Sequence, residues 1–359
     1  MPSAADPVAE LAARQTQLGR PLRFDEYLDV ALYGSSGFYS LEGRAGRRGD
    51  FLTSPEVGPL FGAVVARWID AEFDRLADVV ARDDLRVIEV GAGPGTLARA
   101  VLQAAPHLGG RYVAVEVSAA QRAHHPAGVS SVADMPDGEW TGVVLANELL
   151  DNLPFRLAVH DGTWREAAVH VEPSGAVVEV LLPAPSEWHW LPASAPHGAR
   201  VPVQTRAHDW VAGAQRRLRA GTVLAIDYCT SRTATLATVP WRQWLRTYRG
   251  HERGAHYLRD IGLQDVTAQV CVDQLPEPDA VRTQAQFLRR WGIDELVDEG
   301  RAAWDAAASR PDLAALRMRS RIAEAESLLD PDGLGGFEVL EWRTRGDGST
   351  VHHGGIALY

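Results

Sequence analysis

Short apolar runs recur at 86–90, 111–117, 128–132, 141–146 and 221–227, each bounded by glycine, proline or polar residues. Runs of this length with such boundaries read as buried strands. Between them, apolar residues at three- and four-residue intervals predict helices near 95–105, 119–125, 148–153 and 204–219. Strand and helix alternating at this spacing predict right-handed crossovers and an α/β fold, a parallel sheet covered on both faces. Two later strands, 265–272 and 336–343, are expected to close the sheet to seven, the final pair antiparallel.

The flanking segments break this alternation. Val8, Leu11 and Ala12, then Phe24, Tyr27, Leu28, Ala31 and Leu32, predict helices over 7–33 interrupted at Pro21. Ser54, Pro55 and Glu56 resemble a helix start ahead of a helix over 59–80. Period-two alternation over 155–160, 163–171 and 176–182 predicts a β-meander, and the Pro-, Ala- and Ser-rich 183–202 an irregular connection. Helical periodicity returns over 280–327. The expected organisation is a helical N-terminal extension (1–82), a core (83–154 and 203–272), a β-rich insertion (155–202), a helical insertion (273–335), and a closing strand and tail (336–359).

The first strand runs into Gly91-Ala92-Gly93-Pro94-Gly95. Glycines at alternate positions allow a sharp turn and bring bare backbone near a ligand. A dinucleotide fingerprint would need its third glycine where Thr96 stands, and a phosphate loop would need Gly-Lys-Ser/Thr. What remains is Glu-x-Gly-x-Gly-x-Gly, the pattern of S-adenosylmethionine enzymes, with Glu89 two residues before Gly91. That acid suits an ammonium and sulfonium and repels a pyrophosphate. Glu116, at the end of the second strand and 21 residues after Gly95, stands where such folds accept ribose hydroxyls. The expected donor contacts are Glu89, Gly91, Ala92, Gly93, Gly95, Glu116, Val117, Asp134 and Asn147, with Thr53, Ser54 and Pro55 at the mouth beside Asp50 and Glu56. A Gly93→Val change is expected to lose donor binding through a clash at the turn.

The fourth strand ends in Asn147-Glu148-Leu149-Leu150-Asp151. In an open parallel sheet this end faces the reacting part of the ligand. Asn147, Glu148 and Asp151 are therefore the candidate catalytic residues: two carboxylates suited to pairing with a guanidinium and accepting its proton. The structural alternative is Asn147 capping a helix that begins at Glu148. Asp227-Tyr228 follow the fifth strand, and Leu245 to His251 form a basic, aromatic loop.

Composition narrows the partners. A net charge of -11 argues against an obligatory nucleic-acid partner and is compatible with a basic substrate. Cys229 and Cys271 have no metal-ligand spacing, and the His124-His125 and His352-His353 pairs read as surface residues, so no metal is expected. No stretch approaches the length of a membrane span, and residues 1–10 lack the features of a secretory signal or an Arg-rich presequence. The expectation is a cytoplasmic protein, monomer or homodimer.

The segments Arg23 to Tyr39, Gly49 to Glu56 with Leu60-Phe61-Gly62, Glu89 to Gly95, Ala146 to Pro154, Ile226-Asp227-Tyr228, Tyr248 to His251, Leu263 to Val270, and Leu329 to Leu340 run in one order along the chain. Together they resemble the MidA-like methyltransferases, the group that includes a mitochondrial complex I assembly factor. Cys229 stands where that family usually has Gly, and Asn152 where Ala is common. The resemblance implies a class I (Rossmann-like) methyltransferase fold, S-adenosylmethionine as donor, and a protein arginine as acceptor, in a respiratory NADH dehydrogenase subunit or another protein. Two further readings stay open: a small-molecule N- or O-methyltransferase, and an assembly protein that binds the nucleoside without turnover.

Overall fold

Seven strands, β1 (Leu85–Val90), β2 (Tyr112–Val115), β3 (Val129–Val132), β4 (Trp140–Asn147), β5 (Leu218–Asp227), β6 (Ala280–Thr283) and β7 (Glu338–Thr344), hydrogen-bond in the order β6-β7-β5-β4-β1-β2-β3. The computed structural model describes residues 6–40, 53–188, 190–249, 252–310 and 312–346. β1 to β5 are parallel, while β7 runs antiparallel between β5 and β6. This is the class I methyltransferase sheet. Its centre is apolar on both faces: Val143, Val144, Leu145 and Ala146 of β4 are buried, in register with Val87, Ile88, Glu89 and Val90 of β1.

Helices on this sheet follow from the same patterning. After a short helix α1 (Ser54–Val57), α2 (Pro59–Leu76) places Leu60, Phe61, Val64, Val65, Trp68, Ile69 and Phe73 in the core. Three- and four-residue spacing puts them on one face of the helix. α3 (Thr96–Ala104) adds Leu97, Ala98 and Val101, and a short α4 (Ala119–Arg122) precedes β3. Late in the chain come α5 (Gln284–Arg290), α6 (Ile293–Ala306) and α7 (Leu313–Leu329). Residues Leu52–Leu149, Gly213–Tyr228 and Pro278–Tyr359 make up this unit.

Met1–Phe51, Leu150–Ala212 and Cys229–Glu277 make up a second unit. Strands Leu22–Arg23, Trp164–Val171, Arg156–His160 and Arg200–Val203 are neighbours in that order, all antiparallel, with Val177–Pro183 also paired to Trp164–Val171. Helices Pro7–Leu18 and Phe24–Tyr33 supply Leu11, Phe24, Tyr27 and Leu28 to its core, where the Phe24 ring meets Phe155 and Tyr257.

Several expectations need correction. The strand expected at 265–272 does not close the main sheet: Asp265–Ala268 pairs with Leu245–Arg249, and Val270–Cys271 with Cys229–Thr230. Its place is taken by β6, at the start of a segment read as wholly helical. Period-two patterning identifies a strand but not its partner, which explains the error. Leu245–Arg249 is a strand and not a loop, and Arg200–Val203 is a strand within the expected irregular connection. No α-helix forms over 148–153: Glu148 has φ 51° and only a 3-10 turn, Leu150–Asn152, follows. Residues of the expected 1–82 extension and of the expected 203–272 core belong to both units. Asp50, Gly250, His251 and the tail beyond 346 lie outside the described residues.

Candidate active site

β1 delivers Glu89 into the sheet interior, 4% exposed, where the Tyr112 hydroxyl of β2 donates to its Oε2 at 2.8 Å. Burial pushes the carboxyl up to about 8; the Tyr112 bond opposes the shift and the nearby Glu116 charge adds to it. The chain then reverses through Gly91, Gly93 and Gly95, with φ of 71°, 53° and 74°. These left-handed values are costly for residues bearing a Cβ. The Gly91 and Ala92 N–H groups donate to Val115 O, at 3.0 and 3.1 Å.

Glu116 completes the turn. Its Oε2 accepts from the Gly93 N–H at 3.0 Å and its Oε1 from the Ser118 N–H at 2.8 Å. Each oxygen retains acceptor capacity for a ligand hydroxyl. Val117 beside it is 61% exposed, and Asp134 is an exposed residue just past β3. A Cβ built on Gly93 meets nothing within 4 Å. The expected clash at the turn therefore finds no partner in the chain itself: glycine is required there by φ, and the space before it is open to a ligand. An open, backbone-lined turn with acceptors at Glu116 fits the adenosyl part of S-adenosylmethionine.

At the ends of β4 and β5, Asn147 lies opposite Ile226. Asn147 Nδ2 donates to Glu148 Oε1 at 3.1 Å, and its Oδ1 is buried with no hydrogen-bond partner. Asn147 is the last residue of a strand and not a helix cap. Glu148 takes its left-handed conformation while its N–H donates to Ile226 O at 2.8 Å. Left-handed backbone in a residue with a long side chain is strained, and such strain concentrates at functional sites. Its carboxyl is pushed up to about 8, first by burial and then by Asp227 and Glu56; the Asn147 amide and the Ser54 N–H pull the other way.

Ser54, fully buried, donates from Oγ to Gln284 Oε1 at 2.8 Å, and the Thr53 N–H donates to Glu56 Oε2 at 3.3 Å. The structure thus brings Ser54, Glu56, Asn147, Glu148 and Asp227 to one place. Asp151 belongs to the other unit, where Asn152 Nδ2 donates to its Oδ1 at 3.0 Å and its charge reaches the Tyr39 hydroxyl. Sequence reasoning left two residues without a role. Asp227 was detectable as the acid ending the strand next to Asn147. His125 was read as a surface residue, yet its Nε2 lies 2.9 Å from Gly93 O; nothing in the sequence shows that contact. Among the described residues no group of three His, Cys, Asp or Glu side chains could hold a metal, and no helix is long and apolar enough to cross a membrane.

Comparison with known proteins agrees with this geometry. Residues 64–289 match a family model described as "Putative S-adenosyl-L-methionine-dependent methyltransferase". A Drosophila melanogaster protein named "Protein arginine methyltransferase NDUFAF7 homolog, mitochondrial" is 29% identical over 201 residues, 44% of each chain. The match thus spans less than half of that relative's length. The Danio rerio protein arginine methyltransferase NDUFAF7 is 25% identical over 331 residues, 77% of this chain and 74% of the other. A crystal structure of a methyltransferase-like protein from Burkholderia thailandensis, bound to S-adenosyl-homocysteine, superposes with a TM-score of 0.77 at 25% identity, covering 96% of this chain and 93% of the other. The expectation of a cytoplasmic protein is corrected by the curated relatives, which are named as mitochondrial. With a sheet, a glycine turn and a family model over more than half its length in agreement, the chain belongs to this family of S-adenosyl-L-methionine-dependent methyltransferases.

Proposed function

We propose that this methyltransferase acts on an arginine side chain of a protein, with Glu148 as the residue that orients the guanidinium and takes its proton. The observation that carries the reading is Glu148 itself: a strained, enclosed carboxyl whose charge is disfavoured by burial and by Asp227 and Glu56. A cation placed among these acids relieves their mutual repulsion, whereas a neutral hydroxyl does not. The relatives named as protein arginine methyltransferases support the same acceptor.

When bound, S-adenosylmethionine supplies a methyl group activated by its sulfonium. Gly91, Ala92, Gly93 and Gly95, with Glu89 just before them, would form its binding turn, Glu116 would accept from its ribose hydroxyls, and Val117 and Asp134 would lie on the side of the base. Thr53, Ser54 and Pro55 support the mouth, Ser54 through its N–H on Glu148. Asn147 Oδ1, buried and unpartnered, accepts an N–H of the incoming guanidinium or of the donor's ammonium. With the donor in place, Glu148 would take the one proton that the guanidinium nitrogen gives up on accepting the methyl, the carbon–sulfur electron pair staying with the departing thioether. Holding the nitrogen in line is most of the catalytic task, because the guanidinium is otherwise a poor nucleophile at its very high pKa.

The test combines titration calorimetry with S-adenosylmethionine and mass spectrometry of arginine-containing peptides incubated with the enzyme. A mass gain on arginine, lost in Glu148→Gln while donor binding persists, is the expected result. Removing a general base typically lowers turnover about 10²–10⁴-fold. Donor binding with methylation only of small amines or hydroxyls would replace the protein acceptor; donor binding without any turnover would favour the assembly reading.

A further inference from the structure

We infer that His125 is a positioning residue of the donor site, pinning the glycine turn so that Glu116 meets the nucleoside; the inference rests on the donor site described above. His125 lies between α4 and β3, and its Nε2 is 2.9 Å from Gly93 O. A carbonyl only accepts, so this nitrogen carries the proton and donates. The Gly93 N–H donates to Glu116 Oε2 at 3.0 Å. One left-handed residue is thus held on both sides, its amide by the ribose-binding acid and its carbonyl by His125.

The ring is itself held in place from two directions. Arg99 of α3 donates from Nη2 to His124 O at 2.8 Å, tying the His124-His125 backbone to the helix that leaves the turn. Against Gly95, a Cβ would lie 2.9 Å from Pro126 Cδ and 3.2 Å from His125 Cδ2, so the absence of a side chain there lets the His125-Pro126 segment close onto the turn.

The other ring nitrogen argues for function over stability. Nδ1 is buried with no hydrogen-bond partner. A buried acceptor left unsatisfied is a cost to the folded chain. A carbon ring of the same shape would remove that unsatisfied acceptor together with the Nε2–H bond to Gly93, so the two changes offset each other in stability while the hold on the turn is lost.

The deciding experiment measures donor affinity by calorimetry and thermal unfolding without donor, on the full chain, for wild type, His125→Phe and His125→Gln. Removing one neutral hydrogen bond predicts a roughly 3- to 10-fold weaker donor affinity in His125→Phe. Its donor KM is expected to rise more than kcat falls, and its unfolding midpoint to change little, because loss of the Gly93 bond is offset by removal of the unsatisfied Nδ1. His125→Gln, whose amide restores an N–H donor, should regain part of the affinity. Equal donor affinity in wild type and His125→Phe would overturn the inference, as would a lowered midpoint with affinity intact, which marks a purely structural role. If the wild type binds no donor, the donor site fails first and this inference with it.

Discussion

With its ordinary value of 4.5 pushed up to about 8, the Glu89 carboxyl keeps its proton in the folded chain at neutral pH. The unfolded chain has by then released it. The folded state therefore binds more protons across this window, and stability falls as pH rises from about 4.5 to about 8, levelling off above. Glu148 contributes in the same sense. In Glu89→Gln one of these terms disappears, and the amide can still accept from Tyr112. The donor-free variant should lose less of its unfolding midpoint between pH 5 and pH 8 than wild type does; a pH series of thermal unfolding checks it. In the role proposed for Glu148, catalysis would run the opposite way, since only the ionised carboxylate takes a proton. With an arginine peptide, kcat/KM should rise with pH up to about 8 and then flatten. The measurement is a pH profile at subsaturating peptide, and a maximum near pH 6 would remove Glu148 as the base.

Among the helices, α7 does more than cover the sheet. Its Glu324, buried, accepts the Leu60 N–H at 2.9 Å through Oε2 and the Ser320 hydroxyl through Oε1 at 2.6 Å. Leu60 lies in the first turn of α2, whose N-terminal N–H groups have no partner within the helix and whose dipole favours a negative charge. Glu324→Ala should therefore cost about 1–2 kcal/mol, seen as a lower urea midpoint at unchanged slope. This contact was not legible in the sequence, because it joins residues 264 positions apart. What was legible were elements with strong local periodicity: β1 to β5, α2, α3 and the meander. Pairing was not. Asp265–Ala268 and Ala280–Thr283 both look like strand, and only the packed fold decides which one β7 accepts. The helix expected at Glu148 failed because the acids after Asn147 look like a first turn, while the chain there takes a left-handed step that local propensity does not encode. The glycine turn and its two acids were the most legible local feature, since their fixed spacing is carried by neighbouring strands.

Charge acts over the whole molecule. The chain carries 47 acidic against 36 basic residues, a net charge of -11. Such a field attracts cationic partners and slows anionic ones, and salt screens it with a Debye length of about 10 Å at 0.1 M. A protein arginine presented in a basic segment would be drawn toward this surface before it meets Glu148 and Asp227. The acceptor KM should therefore rise as salt goes from about 0.05 M to about 0.3 M, several-fold for a peptide with additional lysines and arginines. For a peptide whose single arginine is flanked by neutral residues the rise should be smaller. The donor should respond far less, because the site proposed for it is a glycine turn flanked by the buried Glu89 and by Glu116, which salt screens weakly. Initial rates at two salt concentrations with both peptides separate these contributions. If the basic and neutral peptides respond alike, the net charge plays no part in acceptor choice, and selectivity is confined to the acids around Glu148.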